Sequence, residues 1–203
     1  MDKVLRCSID RLTTPIGMMM IAADLEGKLR ATLFTEDEEI VRRYLRLQCG
    51  ERGFTLERKE NPHGLSETIT RYFAGELDAI DSIPVETGGT PFQREVWRAL
   101  REIPCGTTTS YGALAKRIGH PAAVRAVGTA NGANPVAVVL PCHRVIGSNG
   151  SLTGYGGGIE RKQWLLAHEG VQGRQRPLFE ISVPANPGAP SPSAASRSHA
   201  ADP

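Results

Sequence analysis

The chain has 203 residues with a net charge of +2, and its 40% hydrophobic and 23% charged residues are ordinary for a globular protein. No apolar run approaches the ~20 residues that span a bilayer, and the first residues lack the apolar core of a signal peptide, so no membrane segment is expected. The four cysteines Cys7, Cys49, Cys105 and Cys142 have no CxxC spacing, which argues against a zinc ribbon or a disulfide framework and favours a reducing cytoplasm.

Residues 1–88 are predicted to form an N-terminal α/β domain. Apolar segments over 18–23 and 29–34 flank a glycine-containing turn, a pattern typical of a β-hairpin. Helical spacing of apolar residues predicts a helix over 38–48, and Ser66 is expected to cap a second helix that ends at Gly75. Nothing in this segment suggests chemistry.

Residues 89–173 are predicted to form a second, mostly helical domain. Its first helix is expected to begin with Thr90 as N-cap, Pro91 at the first helical position and Gln93 completing a capping box. Trp97 lies on the apolar stripe of this helix and is expected to pack in the core. Two short helices separated by Gly119-His120-Pro121 then suggest a helix-turn-helix. The predicted segments are helices over 111–118 (capped by Ser110), 122–132 and 161–168, a buried strand over 136–140, and a wing-like turn at Asn149-Gly150.

The charge is distributed unevenly along the chain. Residues 1–88 carry 12 Lys/Arg against 16 Asp/Glu, whereas residues 89–173 carry 9 against 4. Basic groups neutralise phosphates, so the second domain is the one expected to bind nucleic acid. A solvated basic face would have the same composition. Residues 174–203 combine many prolines with Ala and Ser, and they are predicted to be mostly disordered.

The sequence Pro141-Cys142-His143-Arg144-Val145 places a thiol, an imidazole and a guanidinium side by side. A free thiol with a pKa of about 8.5 is mostly protonated at neutral pH, so a reactive cysteine needs a neighbour that favours the thiolate. The alternative is a buried, inert core cysteine. Neighbouring side chains on a strand point to opposite faces, so the backbone must turn here if the thiol and imidazole are to cooperate.

This motif resembles the O6-alkylguanine-DNA alkyltransferase family, bacterial type, over about residues 3–172. The supporting matches are Asn134-Pro135, Gly154-Tyr155 and the segment 164–170. The resemblance implies a ribonuclease-H-like α/β N-terminal domain and a mostly helical, winged-helix-like C-terminal domain. It also implies direct-reversal DNA repair, in which an alkyl group moves once and irreversibly from O6-alkylguanine to the protein, with O4-alkylthymine left open as a substrate. The implied partner is double-stranded DNA, with no cofactor and a monomeric protein.

The resemblance also assigns roles at the reactive site. Cys142 is the nucleophile and methyl acceptor, His143 its base, and Glu169 the carboxylate that orients the histidine. Tyr111 donates a proton to the guanine ring, and Asn134 organises the turn around the thiol. The plainer alternatives are an exposed carboxylate for Glu169 and a partly buried aromatic for Tyr111. Arg144 is expected to serve structure.

The second helix of the helix-turn-helix is the implied DNA contact. Arg125 would fill the gap left by a flipped nucleotide, while small residues allow the helix to approach the minor groove. The alanines that recur every four residues, Ala122, Ala126 and Ala130, could instead pack against the preceding helix. The remaining DNA contacts expected on this helix are Ala123, Ala126 and Thr129. The resemblance also implies a substrate pocket in which Tyr155 would line the base site and the Gly156 N–H would face the guanine oxygen. The backbone carbonyls of Cys142 and Val145 would accept from the exocyclic amine.

Some members of the family hold zinc in the N-terminal domain through two cysteines and two histidines. This chain has Leu5 and Asp24 at the cysteine positions, so no metal site is expected, and Cys7, Cys49 and His63 are interpreted as ordinary residues. Three other functional classes fit the sequence less well. Alkyltransferase-like damage sensors carry tryptophan in place of the cysteine, a Cys-His hydrolase has no need of the Arg125 helix, and a winged-helix regulator needs no Cys-His-Glu set.

Overall fold

A computed structural model describes residues 4–50 and 53–171, so the proline-rich tail predicted at 174–203 lies outside the described residues. A mixed α/β N-terminal part precedes a mainly helical C-terminal part. The strands are β1 Leu5–Thr14, β2 Gly17–Asp24, β3 Leu29–Leu33, β4 Phe54–Arg58, β5 Thr109–Ser110 and β6 Val145–Ile146, and the helices are α1 Glu38–Cys49, α2 Leu65–Phe73, α3 Pro91–Arg101, α4 Tyr111–Arg117, α5 Val124–Gly132 and α6 Ile159–His168. No helix in the described ranges is long and apolar enough to cross a membrane.

The N-terminal sheet has the strand order β3-β2-β1-β4, with β1 antiparallel to β2 and parallel to β4. The predicted hairpin is confirmed as β2 and β3. The Asp24 carboxylate closes its turn by accepting from the N–H groups of Glu26 at 3.1 Å and Lys28 at 2.8 Å. The Asp24 carboxylate also forms an ion pair with Arg30 Nη2 at 2.6 Å, so Asp24 has a structural role in the hairpin.

The helices of the N-terminal part agree only partly with the predictions. The first, α1, ends as expected at Gly50, whose φ of 57° suits glycine. The proposed N-cap at Ser66 is wrong, because α2 is preceded by Gly64 and Ser66 lies inside its first turn. The Ser66 hydroxyl instead donates to Asp10 Oδ2 on β1 at 2.5 Å, so a tertiary contact uses the side chain that the sequence pattern predicted to cap the helix.

Helices α4, α5 and α6 begin and end within two residues of the predicted bounds. The capping box of α3 is present, with Gln93 N–H donating to Thr90 Oγ1 at 3.2 Å and Thr90 N–H to Gln93 Oε1 at 2.9 Å. The Ser110 side chain caps α4. Trp97 is buried as expected, and its Nε1–H donates to the Ala130 carbonyl at 2.8 Å, which ties α3 to α5.

The strand predicted over 136–140 is wrong. The run is buried, but only Val136 makes a bridge, to Thr32, and the rest forms tight turns in which Val138 has a φ of 72°. The Asn134 side chain makes backbone hydrogen bonds that a neighbouring strand would otherwise make. Its Oδ1 accepts from Val136 N at 2.9 Å, and its Nδ2 donates to the Leu140 carbonyl at 2.8 Å. A short apolar run reports burial and cannot by itself distinguish a strand from another buried segment.

The two parts of the chain share one hydrophobic core. One face of the sheet, which includes Met19 and Ile21, joins a cluster with Trp97, Val138 and Leu165 of the C-terminal part. The opposite face packs on α1 in a smaller cluster. The segment around Cys142 is therefore held between the sheet and the C-terminal helices.

Candidate active site

The thiol of Cys142 lies at a sharp turn of the backbone. Residues Cys142–Arg144 form a single 3-10 turn after Pro141, and the Cys142 N–H donates to the Leu140 carbonyl at 2.7 Å. Because this turn replaces an extended strand, three consecutive side chains all enter the interior. Cys142, His143 and Arg144 are only 5%, 0% and 4% exposed.

Glu169 is the centre of a buried hydrogen-bond network. Its Oε1 accepts from His143 Nε2 at 2.9 Å, from Arg144 Nη2 at 2.8 Å and from the Tyr72 hydroxyl at 2.7 Å. Its Oε2 accepts from Arg144 Nε at 2.8 Å, so the guanidinium binds the carboxylate in bidentate fashion. Arg144 Nη1 also donates to the Ile103 carbonyl at 2.6 Å. Glu169 is thus buried, and the alternative of an exposed carboxylate is excluded.

The charges in this network determine the state of the imidazole. Burial raises the pKa of Glu169, but the hydrogen bonds from His143 and Arg144 outweigh it and lower that pKa to about 2. Burial lowers the pKa of His143, and the opposing hydrogen bond to Glu169 does not restore it. The ionised carboxylate can only accept, so the neutral ring carries its proton on Nε2. Its other nitrogen, Nδ1, is buried and has no partner among the described residues.

A buried cation lies near the thiol. Burial raises the pKa of Cys142, while a hydrogen bond from Asn134 and the charge of Lys162 act in the opposite direction. Lys162 is fully buried on α6, and its Nζ donates to the carbonyls of Val145 at 2.6 Å and Thr153 at 2.8 Å. Burial lowers the pKa of Lys162 to about 8. Sequence reasoning missed this residue, although its spacing from Leu165 and Leu166 places it on the buried face of the helix.

Tyr111 lies beside the lysine, and Tyr155 lies beside the histidine. The Tyr111 hydroxyl donates to the carbonyls of Thr153 at 3.1 Å and Gly154 at 3.4 Å, and Lys162 Nζ lies 5.9 Å from its ring centroid. Burial raises the pKa of Tyr111. The ring of Tyr155 meets that of His143 edge-on with centroids 6.5 Å apart, and its buried hydroxyl has no partner within the described part of the chain.

A cavity of about 240 Å³ adjoins the thiol and joins the two parts of the protein. Its C-terminal wall contains Tyr155 and Gly156 of the predicted substrate pocket, but Val145 is not among the lining residues. Asn131, which sequence reasoning did not single out, also lines it. Larger clefts of about 580, 610 and 820 Å³ do not include Cys142 among their lining residues. The cavity beside the thiol is lined by Leu33, Phe34, Thr35, Ile40, Arg43, Tyr44, Asn131, Gly132, Asn134, Ala137, Cys142, Tyr155, Gly156 and Gly157.

The exposed face of α5 carries the residues expected to contact DNA. Arg125, Ala126 and Thr129 are exposed, whereas Ala130 is buried against α3. Ala123 is half-buried and precedes the helix, because α5 begins at Val124, two residues later than predicted. The alanine pattern therefore divides into an outer face and an inner packing face.

The structure brings most of the predicted site residues together. Asn134, Cys142, Tyr155 and Gly156 share the cavity wall. His143 and Glu169 are hydrogen-bonded behind it, and Tyr111 and Val145 are connected through Lys162. Arg125 lies outside this group, on the exposed face of α5.

Comparison with known proteins identifies relatives over most of the chain. Residues 91–171 match the family described as 6-O-methylguanine DNA methyltransferase, DNA binding domain. The chain is 49% identical over 167 residues to a methylated-DNA–protein-cysteine methyltransferase of Shigella flexneri, which covers 82% of this chain and 98% of that protein. A protein of the same name from Methanosarcina acetivorans is 42% identical over 162 residues, covering 77% and 94%.

Solved structures agree with these sequence relatives. The crystal structure of Mycobacterium tuberculosis O6-methylguanine methyltransferase superposes with a TM-score of 0.66 at 38% identity, covering 80% of this chain and 92% of that one. A structure of the M. tuberculosis protein OGT in complex with DNA gives a TM-score of 0.65 at 39% identity, covering 81% and 92%. With these relatives and this arrangement around Cys142, the chain belongs to the family of methylated-DNA–protein-cysteine methyltransferases.

Proposed function

We propose that this protein repairs double-stranded DNA by moving the alkyl group of O6-alkylguanine, once per molecule, onto Cys142. The observation that carries the proposal is a buried thiol at a cavity wall, followed by a histidine whose Nε2 is held by Glu169 and whose Nδ1 is unoccupied among the described residues. The relatives carry the name of this activity, and one solved neighbour was crystallised with DNA.

His143 is the proposed base for the thiol. Since Glu169 accepts the Nε2–H, the Nδ1 lone pair is the one that can take the Cys142 proton, directly or through one water. The resulting imidazolium lies against an ionised carboxylate, and the charge of Lys162 favours the thiolate. The thiolate then attacks the alkyl carbon, so that an S–C bond forms as the C–O6 bond breaks and the electron pair passes to the guanine.

Tyr111 is the proposed acid for the departing guanine. Its raised pKa keeps the hydroxyl protonated at neutral pH, so a proton is available to the base as negative charge develops. In the structure this hydroxyl donates to the carbonyls of Thr153 and Gly154, and it would exchange these partners for the base. Asn134 acts on the backbone, because its hydrogen bonds to Val136 and Leu140 hold the turn that presents the thiol.

DNA is proposed to bind along the exposed face of α5. Enzymes that act on a base extrude it from the stack at a cost of a few kcal/mol, and an inserted side chain offsets the lost stacking. Arg125 is proposed for that role, while the small side chains of Ala123, Ala126 and Thr129 allow close approach to the groove. The extruded base would lie against Val145, Tyr155 and Gly156, where Gly156 offers a backbone N–H.

The finer description of the architecture is also a proposal. A sheet ordered β3-β2-β1-β4 with β1 parallel to β4 supports a ribonuclease-H-like N-terminal domain over 1–88. Helices α4 and α5 beside the short β5–β6 pair support a winged-helix-like domain over 89–173. Because the acceptor is the protein's own thiol, the reaction needs no cofactor. A monomer in the cytoplasm suits this stoichiometric chemistry.

Mass spectrometry tests the proposal directly. Incubation with duplex DNA containing O6-methylguanine should add one methyl equivalent to the intact protein, located on the peptide that contains Cys142. Cys142→Ser is the matched variant, and half-buried Cys105 provides an internal control for non-specific alkylation. Methylation of the Cys142→Ser variant, or of Cys105 in the parent protein, would contradict the assignment.

A further inference from the structure

The loop that carries Tyr155 into the cavity wall has no helix or strand of its own. It comprises residues 154–158, all glycine except the tyrosine, and its three central residues line the cavity beside the thiol. Gly154 and Gly158 at its ends have φ values of 51° and 92°, in the left-handed region. Glycine loses more conformational freedom on folding than any other residue, so contacts from outside the loop must hold this wall in place.

Arg161, in the first turn of α6, connects the loop to the N-terminal part of the protein. Its Nη1 donates to the Gly157 carbonyl at 2.7 Å, and its Nε donates to the Ile16 carbonyl at 2.7 Å. A guanidinium can bond two carbonyls at once because its N–H groups form a rigid, planar fork. One side chain therefore ties the cavity wall to the turn between β1 and β2.

The turn between β1 and β2 is itself well fixed. The Thr14 hydroxyl donates to the Gly17 carbonyl at 2.6 Å and accepts from the Ile16 N–H at 3.3 Å. The guanidinium packs directly on this turn, since a Cβ atom placed on Gly17 would lie 3.0 Å from Arg161 Nη2. The turn thus gives the arginine a fixed point of attachment outside the cavity.

The inner side of the loop is packed as tightly as its outer side. A Cβ atom placed on Gly157 would lie 2.7 Å from Tyr155 Cε1 and 3.1 Å from Phe34 Cδ2. Phe34 lines the cavity, and its ring centroid lies 5.2 Å from the Arg161 guanidinium carbon. The arginine therefore contacts the cavity wall on both sides, and its loss would release the Gly157 carbonyl and the neighbouring Tyr155 ring.

We propose that Arg161 is a positioning residue for alkyl transfer, which fixes the loop over 154–158 on the N-terminal hairpin and makes the cavity favour small alkyl groups. The inference rests on the proposed function. A wall held in one position resists overfilling by a longer alkyl chain. A released loop yields to that chain, but it spends less time in the reactive arrangement, and the rate falls with the competent fraction.

The variant Arg161→Met tests the proposal, because it keeps a long side chain and removes both donors. Single-turnover transfer from saturating duplex DNA with O6-methylguanine should slow by about 10-fold. This factor corresponds to about 1.4 kcal/mol, close to the contribution of one hydrogen bond to a charged group. With O6-butylguanine the loss should be only about threefold or less, since the released loop relieves the overfilling. Deuterium exchange of the backbone amides over 154–158 should be faster in the variant.

Arg101→Met is the matched control. Arg101 Nη2 also donates to two carbonyls, those of Asp81 and Ile83, both at 2.9 Å, and these residues are not among those that line the cavity. This variant should keep the parent ratio of butyl to methyl transfer and the parent exchange rates of the loop. Arg161→Lys keeps the charge without the fork, and it should show the same changes at smaller size even if melting curves show Arg161→Met to be unfolded.

Two results would overturn the proposal. One is an equal loss of methyl and butyl transfer in a folded Arg161 variant, and the other is loop exchange as slow as in the parent protein. Absence of methyl transfer by the parent protein would instead refute the proposed function, while the exchange rates would still test whether Arg161 holds the loop.

Discussion

The substitution Glu169→Gln removes one negative charge from the centre of the buried network while keeping its shape. In the structure the carboxylate accepts four hydrogen bonds, two of them from the Arg144 guanidinium. The variant leaves Arg144, whose side chain is 5% exposed, as a buried cation without its counter-ion. We expect a large loss of stability and a loss of activity, for separable reasons.

Two independent estimates give the magnitude of the stability loss. Breaking a buried ion pair by removing one partner typically costs 3–5 kcal/mol. The pKa of Glu169 falls from 4.5 to about 2 on folding, and at about 1.4 kcal/mol per pKa unit this corresponds to about 3 kcal/mol. Because the folded pKa is lowered, this stability is present above pH 4.5 and is lost as the pH falls towards 2. The difference between parent and variant should therefore fall to less than half of its neutral value at pH 3.

Urea unfolding at pH 7 and pH 3 measures both quantities, and the double variant Glu169→Gln/Arg144→Met is the control. Removing the orphaned cation as well should recover much of the stability, since apolar replacement of a whole buried pair is often close to neutral. Methyl transfer should remain slow in the double variant, because His143 has still lost the carboxylate that stabilises its charged form. A loss below about 1 kcal/mol at pH 7, or a double variant with restored transfer, would refute this reasoning.

Two further outcomes are expected. Arg125→Ala should slow repair of duplex DNA much more than transfer from the free alkylated base, because Arg125 is exposed on α5 and away from the thiol. Single-turnover rates measured on the two substrates test this. Equal losses of rate would place Arg125 in the chemical step or in folding. Methylation of Cys142 should lower the melting temperature, because added volume in a packed site costs about 1–3 kcal/mol and Cys142 is only 5% exposed. Melting curves before and after stoichiometric reaction, with DNA removed, test that expectation, and an unchanged midpoint would show that the cavity accepts the methyl without strain.

Much of the architecture could be predicted because its signals are local. The capping box at Thr90, the glycine stop at Gly50 and the hairpin turn at Asp24 each depend on a few neighbouring residues. The adjacency of Cys142 and His143 is likewise visible in the sequence. These features do not depend on contacts between distant segments, so the sequence is sufficient to predict them.

The rest depended on contacts between residues far apart in the chain. Tyr72 reaches Glu169 across 97 positions, and Lys162 and Asn131 turn inwards to carbonyls on the segments around the thiol. The run over 136–140 makes only one bridge, to Thr32 of β3, and the Asn134 side chain holds the rest in turns, so no strand forms. Sequence alone determined the reactive motif, the capped helices and the hairpin. Only the tertiary structure decided the protonation of the thiol and the residues that line its cavity, because burial and long-range hydrogen bonds set the pKa values of the site.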